Sequence, residues 1–237
     1  MQYLIFSFCL FLMSLTSCQQ LRKYSSNQAS SAQNYYNQAL SYQKQKKHHK
    51  ALRALEALKK DFPYSSYNSI ASLLLADLHF QDKEYKKAEA AYRGFQKIYP
   101  YEKYLYVHYQ LGRCSFYQLP RSADRDLSKA EVALEFFNTV AKAKSPYQLG
   151  AKSYIEKILH LKAEKLYKAA SFYFKKDWRE SSLDKFQTLI KNYPTSPLVP
   201  KALLKSYQLA QKLNRPTAAF KTQLLKQFPK SKEAQSL

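Results

Sequence analysis

Glycine is nearly missing from this chain: 237 residues contain three. A loop that cradles phosphate needs closely spaced glycines to bring backbone N–H groups onto the anion, so that class of nucleotide chemistry is excluded. Cysteine is as scarce, with Cys9, Cys18 and Cys114. The first two lie near the N-terminus, and Cys114 by itself offers neither a disulfide framework nor a spaced metal set. It reads as a small buried hydrophobe. Acidic residues are few, 17 against 39 Lys and Arg, for a formal net charge of +22. Three readings fit that excess: nucleic-acid binding, attraction to an anionic lipid or lipopolysaccharide surface, and a diffuse charge bias. The lysines are scattered along every segment instead of forming one arm, which places nucleic acid last and diffuse bias first. Catalysis is the weakest reading, because no convergent set of polar groups is visible. His48 and His49 stand in a polar turn, "KQKKHHK", without further ligands, and no cofactor or metal is expected.

A long apolar run is also absent. The stretch "LIFSFCLFLM", Leu4 to Met13, falls well short of the roughly 20 residues that span a bilayer as a helix. Its length suits a secretory leader, although Met1, Gln2 and Tyr3 carry none of the usual positive charge. Leu15-Thr16-Ser17-Cys18 then resembles a bacterial lipobox, which implies a signal peptide over 1–17, acylation of Cys18, and a protein tethered to the membrane rather than crossing it. Gln19 after the Cys, in the lipoproteins this resembles, fits export onward to the outer membrane. Residues 18–31, "CQQLRKYSSNQASS", are polar and Ser-rich and read as the lipidated Cys with a flexible tether.

What the chain has in abundance is aromatic side chains, 21 Tyr and 14 Phe. Four of them precede a proline: Phe62-Pro63, Tyr99-Pro100, Tyr193-Pro194 and Phe228-Pro229, each closing an amphipathic, helix-like run. The first and last intervals lie near the 34-residue period of a tetratricopeptide repeat, and the middle interval holds two repeats. The inner pattern agrees. Two facing helices need small residues where they cross, and Ala39 with Ala51, Ala76 with Ala88, and Ala170 with Ser182 supply them. In a third repeat, starting at "YVHYQLGRCSFY", Leu111-Gly112 is in register but Ala133 arrives late, so an insert over 119–127 is expected. A long helix from about Gln148 to Lys175 follows, read as an extra packing stripe in preference to a docking rod. The last repeat matches poorly, as terminal repeats often do. The expected fold is all-α, a tetratricopeptide-repeat solenoid of about five helix pairs. Repeats 1–3 occupy 32–146 and repeats 4–5 occupy 147–237.

Such stacks present a concave face lined by their first helices, a groove for an extended or helical peptide. Register places Tyr36 and Leu40 of repeat one, Leu73, Asp77 and Phe80 of repeat two, and Tyr109 and Arg113 of repeat three on that face. The aromatics with Arg113 suit a peptide carrying aromatic side chains and a carboxylate. The alternative is that half of these residues pack on the next repeat.

The segments "KALRALEALKKDFPYSSY" and "EYKKAEAAYRGFQKIYP", Asp124-Arg125-Asp126 in the insert, and "AASFYFKKDW" leading to "LIKNYPTSPL" together resemble the BamD (ComL-type) lipoproteins of the outer-membrane β-barrel assembly machinery. The resemblance spans nearly the whole mature chain. It implies an outer-membrane protein, lipid-anchored and facing the periplasm, with no enzymatic activity. It further implies docking of the C-terminal repeats on a barrel-forming, BamA-like insertase beside other assembly lipoproteins, with the N-terminal repeats meeting unfolded outer-membrane proteins. Asp124, Arg125, Asp126, Phe172, Tyr173 and Trp178 are the docking residues it points to. The competing reading is a stand-alone repeat lipoprotein that binds peptides or an anionic envelope polymer, peptidoglycan or lipopolysaccharide.

Overall fold

The computed structural model describes residues 30–123 and 125–237. The leader, Cys18, the tether up to residue 29, and Asp124 lie outside the described residues. Those described form helices and turns, with no strand among them. Helix α1 covers 30–44. It is followed by α2 (His48–Asp61), α3 (Tyr67–Gln81), α4 (Tyr85–Ile98), α5 (Tyr104–Tyr117), α6 (Ser128–Lys142), α7 (Gln148–Lys175), α8 (Arg179–Asn192), α9 (Val199–Lys212), α10 (Ala218–Gln227) and the short α11 (Lys232–Gln235). The first ten make five consecutive pairs. The fold is an all-helical tetratricopeptide-repeat solenoid, as the aromatic-proline spacing predicts.

Each of the four aromatic-proline pairs ends a second helix in the same way. Proline disfavours helical backbone at the residue before it, and Phe62, Tyr99, Tyr193 and Phe228 are all helix caps with φ between −124° and −133°. Their N–H groups still close the last turn, on Leu58, Phe95, Leu189 and Leu224. Small residues sit at the crossings: Ala39, Ala51, Ala76, Ala88, Ala133 and Ala170 have no exposed surface. At the α7–α8 crossing the buried Ser182 hydroxyl donates to the Ala170 carbonyl at 2.9 Å, which satisfies the one polar atom that the small side chain brings inside.

In four of the five pairs the turn between the two helices is tight and does without glycine. Lys46, Lys83, Asp177 and Asn214 take φ of 58°, 60°, 58° and 52°, the left-handed conformation in which a helix stops. The residue after each donates its N–H five residues back: Lys47 to Tyr42, Glu84 to His79, Trp178 to Tyr173, Arg215 to Ala210, at 2.9–3.0 Å.

The described residues divide into two compact units, 30–107 and 108–237. This division differs from the expected boundary at 146/147, and α7 is the reason on the C-terminal side. It is one unbroken helix of 28 residues. Its first half buries Ala151 and Ile158 in a cluster with Ala133, Phe137 and Val140 of α6. Its second half buries Ala163 and Ala170 with Leu183, Phe186 and Leu189 of α8 and Leu203 of α9. Repeats three to five therefore share α7, which a cut at 146/147 would part from α6. In the first unit the buried cluster joins Ala32 and Ala39 of α1, Leu52, Leu55 and Leu58 of α2, and Ala71 and Leu78 of α3.

Candidate functional site

Two sets of predicted site residues fall in separate units. In the first unit, Tyr36 is half-buried and its ring lies 5.6 Å from that of Tyr67 at the start of α3; burial, then the neighbouring Tyr67, push its hydroxyl pKa above the ordinary tyrosine value. Leu40 and Leu73 are half-buried. Asp77 accepts a hydrogen bond from the fully buried Tyr92 of α4 and another, at 2.6 Å, from Tyr106 of α5. Its carboxylate thus ties three helices together. Phe80 meets the edge of Tyr85, centroids 5.3 Å apart. Tyr36 and Asp77 thus each contact the next repeat.

In the second unit, Tyr109 stacks on Tyr147 at 5.4 Å and meets Phe137 and Tyr154 edge-on. Arg113 lies over the Tyr109 ring at 5.7 Å and donates to Gln110 at 2.8 Å. Burial opposes its charge, but the oxygens of Tyr154, Tyr109 and Tyr117 outweigh that, and the net direction of its pKa is upward. The pKa of Tyr154 is raised as well: burial first, then the hydrogen bond with Tyr117 at 3.2 Å, push it up to about 12.

The insert is polar at its tip and anchored at its base. Arg125 is exposed, and its backbone carbonyl accepts from Lys165 of α7 at 3.0 Å. Asp126 accepts from the Ser128 hydroxyl and backbone N–H at 2.8 and 2.9 Å, holding the first turn of α6, while Ala123 and Leu127 are buried. Asp124 lies outside the described residues.

The remaining three predicted residues come together at one place, the α7–α8 turn. Tyr173 and Trp178 stack with centroids 5.6 Å apart and 30° between planes, and Phe172 meets both rings at 5.7 and 6.3 Å. The left-handed Asp177 is what folds Trp178 back onto Tyr173. Phe172 and Trp178 are 52% and 56% exposed, which no packing among the described residues requires. Beside them Arg179 forks onto both Asp177 carboxylate oxygens at 2.8 and 2.9 Å, and Arg215 of the α9–α10 turn pairs with Glu180 at 2.9 Å. An open hollow of about 530 Å³ adjoins this cluster, lined by Tyr173, Glu180, Leu183, Asp184, Lys185 and Arg215. Sequence reasoning did not single out Arg179, Glu180 or Arg215; the "DWR" run held the first, whereas Arg215 reaches Glu180 only through the return of α9. An exposed Trp stacked on a half-buried Tyr beside paired Arg is the composition of protein-binding hot spots.

Among the described residues, no three His, Cys, Asp or Glu side chains are placed to hold a metal ion. His48 contacts Asp82, and His79 contacts Glu84 at 2.7 Å. Cys114 is buried and in no disulfide. No described helix is long and apolar enough to cross a membrane.

A family model described as "YfiO: Outer membrane lipoprotein" matches residues 28–226. No curated protein matches the chain. Among solved structures, the P58(IPK) tetratricopeptide-repeat domain is 15% identical with a TM-score of 0.48, covering 91% of this chain and 57% of that one. The TPR2AB domain of yeast Sti1, in complex with pHSP90, is 13% identical with a TM-score of 0.47, covering 86% and 80%. Pseudomonas aeruginosa pilF is 18% identical with a TM-score of 0.38, covering 89% and 97%.

Proposed function

Because the chain belongs to the YfiO family of outer membrane lipoproteins, we propose that it is a lipid-anchored scaffold of the BamD type, a subunit of the outer-membrane protein assembly machinery. Cys18 carries the lipid and keeps the repeats on the periplasmic side. The C-terminal repeats dock on a barrel-forming insertase of the BamA kind beside other assembly lipoproteins, and the N-terminal repeats meet incoming outer-membrane proteins for folding and insertion. The observation that carries the docking half of this reading is the Phe172–Tyr173–Trp178 cluster, with Phe172 and Trp178 exposed, and its Arg179–Asp177 fork. A half-exposed tryptophan stacked in place beside paired charges is pre-organised for a partner, since its rotamer is fixed before binding.

Pull-down from detergent-solubilised envelope tests it. The wild type should recover a large barrel protein in stable complex. Phe172→Ala with Trp178→Ala should weaken that recovery by about 30-fold, the effect of losing a hot spot of about 2 kcal/mol. Arg125→Glu should weaken machine contacts and Tyr36→Ala substrate contacts. Equal recovery of every partner by all variants would overturn the division.

The charge supports a second reading, a stand-alone lipoprotein that holds peptidoglycan or lipopolysaccharide through its +22. That binding would collapse steeply with salt and survive the loss of Phe172 and Trp178.

A further inference from the structure

The exposed apolar side chains of the first unit are not scattered. Among residues 30–107, the large hydrophobic side chains that are exposed are Tyr64, Ile70, Ile98, Tyr101 and Tyr104. Helices α1 to α5 alternate in direction, so the start of α1, the α2–α3 turn and the α4–α5 turn lie at one end of the unit. Contacts agree: Tyr35 meets Phe62 at 5.9 Å, Tyr36 meets Tyr67 at 5.6 Å, and the Ser69 hydroxyl donates to Glu102. All five exposed side chains belong to this end. Tyr64 is 100% exposed and Tyr101 92%, and both directly follow an aromatic-proline pair, 37 residues apart.

The opposite end, formed by the α1–α2 and α3–α4 turns, exposes Lys44, Lys46, Lys47, Lys83, Lys86 and Lys87 and no large hydrophobic side chain. His48 of one turn contacts Asp82 of the other there. The two ends of the same unit therefore differ in chemistry, one aromatic and apolar, the other lysine-rich.

We propose that the tyrosine-bearing end lies on the lipid surface, with Tyr64 and Tyr101 seated at the headgroup level. This rests on the lipidation of Cys18 proposed above. Ser30, twelve residue steps from Cys18, stands at that end of α1, so along the chain the tyrosine end is nearer the anchor than the lysine end by the length of the 15-residue α1, about 22 Å. Tyrosine is suited to that depth because its ring is apolar and its hydroxyl wet. Exposed Lys59, Lys60, Lys97 and Lys103 surround the tyrosines, with Asp61 and Glu102 the acids among them; Glu102 is engaged by Ser69. The balance is positive and complements anionic headgroups.

The test uses the full lipoprotein reconstituted in vesicles of phosphatidylethanolamine with a minor fraction of phosphatidylglycerol. A fluorophore is placed on one cysteine at a time, Tyr64→Cys, Tyr101→Cys, Lys46→Cys or Lys83→Cys, positions exposed enough to leave packing intact, and Cys114 is buried from the reagent. Nitroxide-labelled lipid should quench the labels at 64 and 101 several-fold more than those at 46 and 83. Equal quenching at both ends, or stronger quenching at the lysine end, would overturn the proposal. So would labels at 64 and 101 that are silent in vesicles but shielded in solubilised envelope complexes, which would assign this end to a protein. Flotation and the mass of the N-terminal peptide are read on the same sample. A chain that floats with silent labels removes this face alone; an unmodified Cys18 in a chain that does not float removes the anchor and this proposal with it.

Discussion

The three glycines occupy three different surroundings, and the same substitution should have three outcomes. A Cβ on Gly112 would come within 2.8 Å of the Phe137 ring, and that ring is stacked at 4.8 Å on Tyr154 with 1° between planes, so it has no room to retreat. Gly112→Ala should cost about 1–3 kcal/mol. At Gly150 the added atom would meet the Tyr109 hydroxyl at 2.5 Å, the tip of a side chain, and a smaller loss is expected. Around Gly94, exposed in the interior of α4, nothing lies within 4 Å, and Gly94→Ala should stabilise the protein by about 0.5–1 kcal/mol. Urea denaturation of the three variants checks the order. At the same scale, ultraviolet titration should find one tyrosine ionising near pH 12, removed by Tyr154→Phe. A tyrosine whose folded pKa is raised stabilises fully below the ordinary value near 10 and loses that contribution as pH rises through the folded one. Asp126 runs the opposite way. Hydrogen bonds from the Ser128 side chain and then its backbone hold its pKa below the usual value, so its support of α6 is present above the unfolded carboxylate pKa and lost as pH falls through the depressed one. Carbon-detected NMR titration of its carboxyl should give a midpoint below that of a free aspartate.

At the scale of elements, the four turns that stop the first helices without glycine carry a removable cost. A Cβ in the left-handed region is unfavourable by roughly 1 kcal/mol, and less for Asn and Asp. Lys46→Gly and Lys83→Gly should therefore each raise stability by about 0.5–1 kcal/mol, with a smaller gain at Asn214→Gly; thermal unfolding of the single variants reads this directly. The helices themselves were legible in the sequence. The bounds of α7 follow from an unbroken apolar stripe between Ser145-Pro146 and the Lys176-Asp177 turn, and the late arrival of Ala133 announces the 118–127 connection between α5 and α6. Proline makes such boundaries readable because it acts on its immediate neighbour alone. The left-handed turns were not legible, because Lys46 and Lys83 lack the glycine that usually marks that backbone. Nor was the use of Asp77: register places it on the inner face, but a hydroxyl arriving from Tyr106, 29 positions away, has no local signature. Phe172, Tyr173 and Trp178 are separate residues in the sequence, and it is the left-handed conformation of Asp177 that assembles them.

At the scale of the whole molecule, the second compact unit holds two buried clusters joined by one helix, and this sets the expectation for its unfolding. Repeat proteins unfold through nearest-neighbour coupling, and in residues 108–237 that coupling runs through α7, which both buried clusters use. Hydrogen exchange should show α6, α8 and α9 opening together. Replacing Leu159 and His160 by glycine, beside the buried Ile158, should weaken the helix by about 1 kcal/mol or more and let the α6 side open separately from the α8–α9 side. Uniform exchange in that variant would argue that the clusters are coupled by another route.

At about 1.5 Å per residue, α7 is a rod of about 42 Å, with the insert resting on it through Lys165 and the aromatic knuckle at its far tip. A lever of that span turns small angles into usable travel. Tilting it by about 5° would carry one tip roughly 4 Å, about the thickness of an aromatic ring.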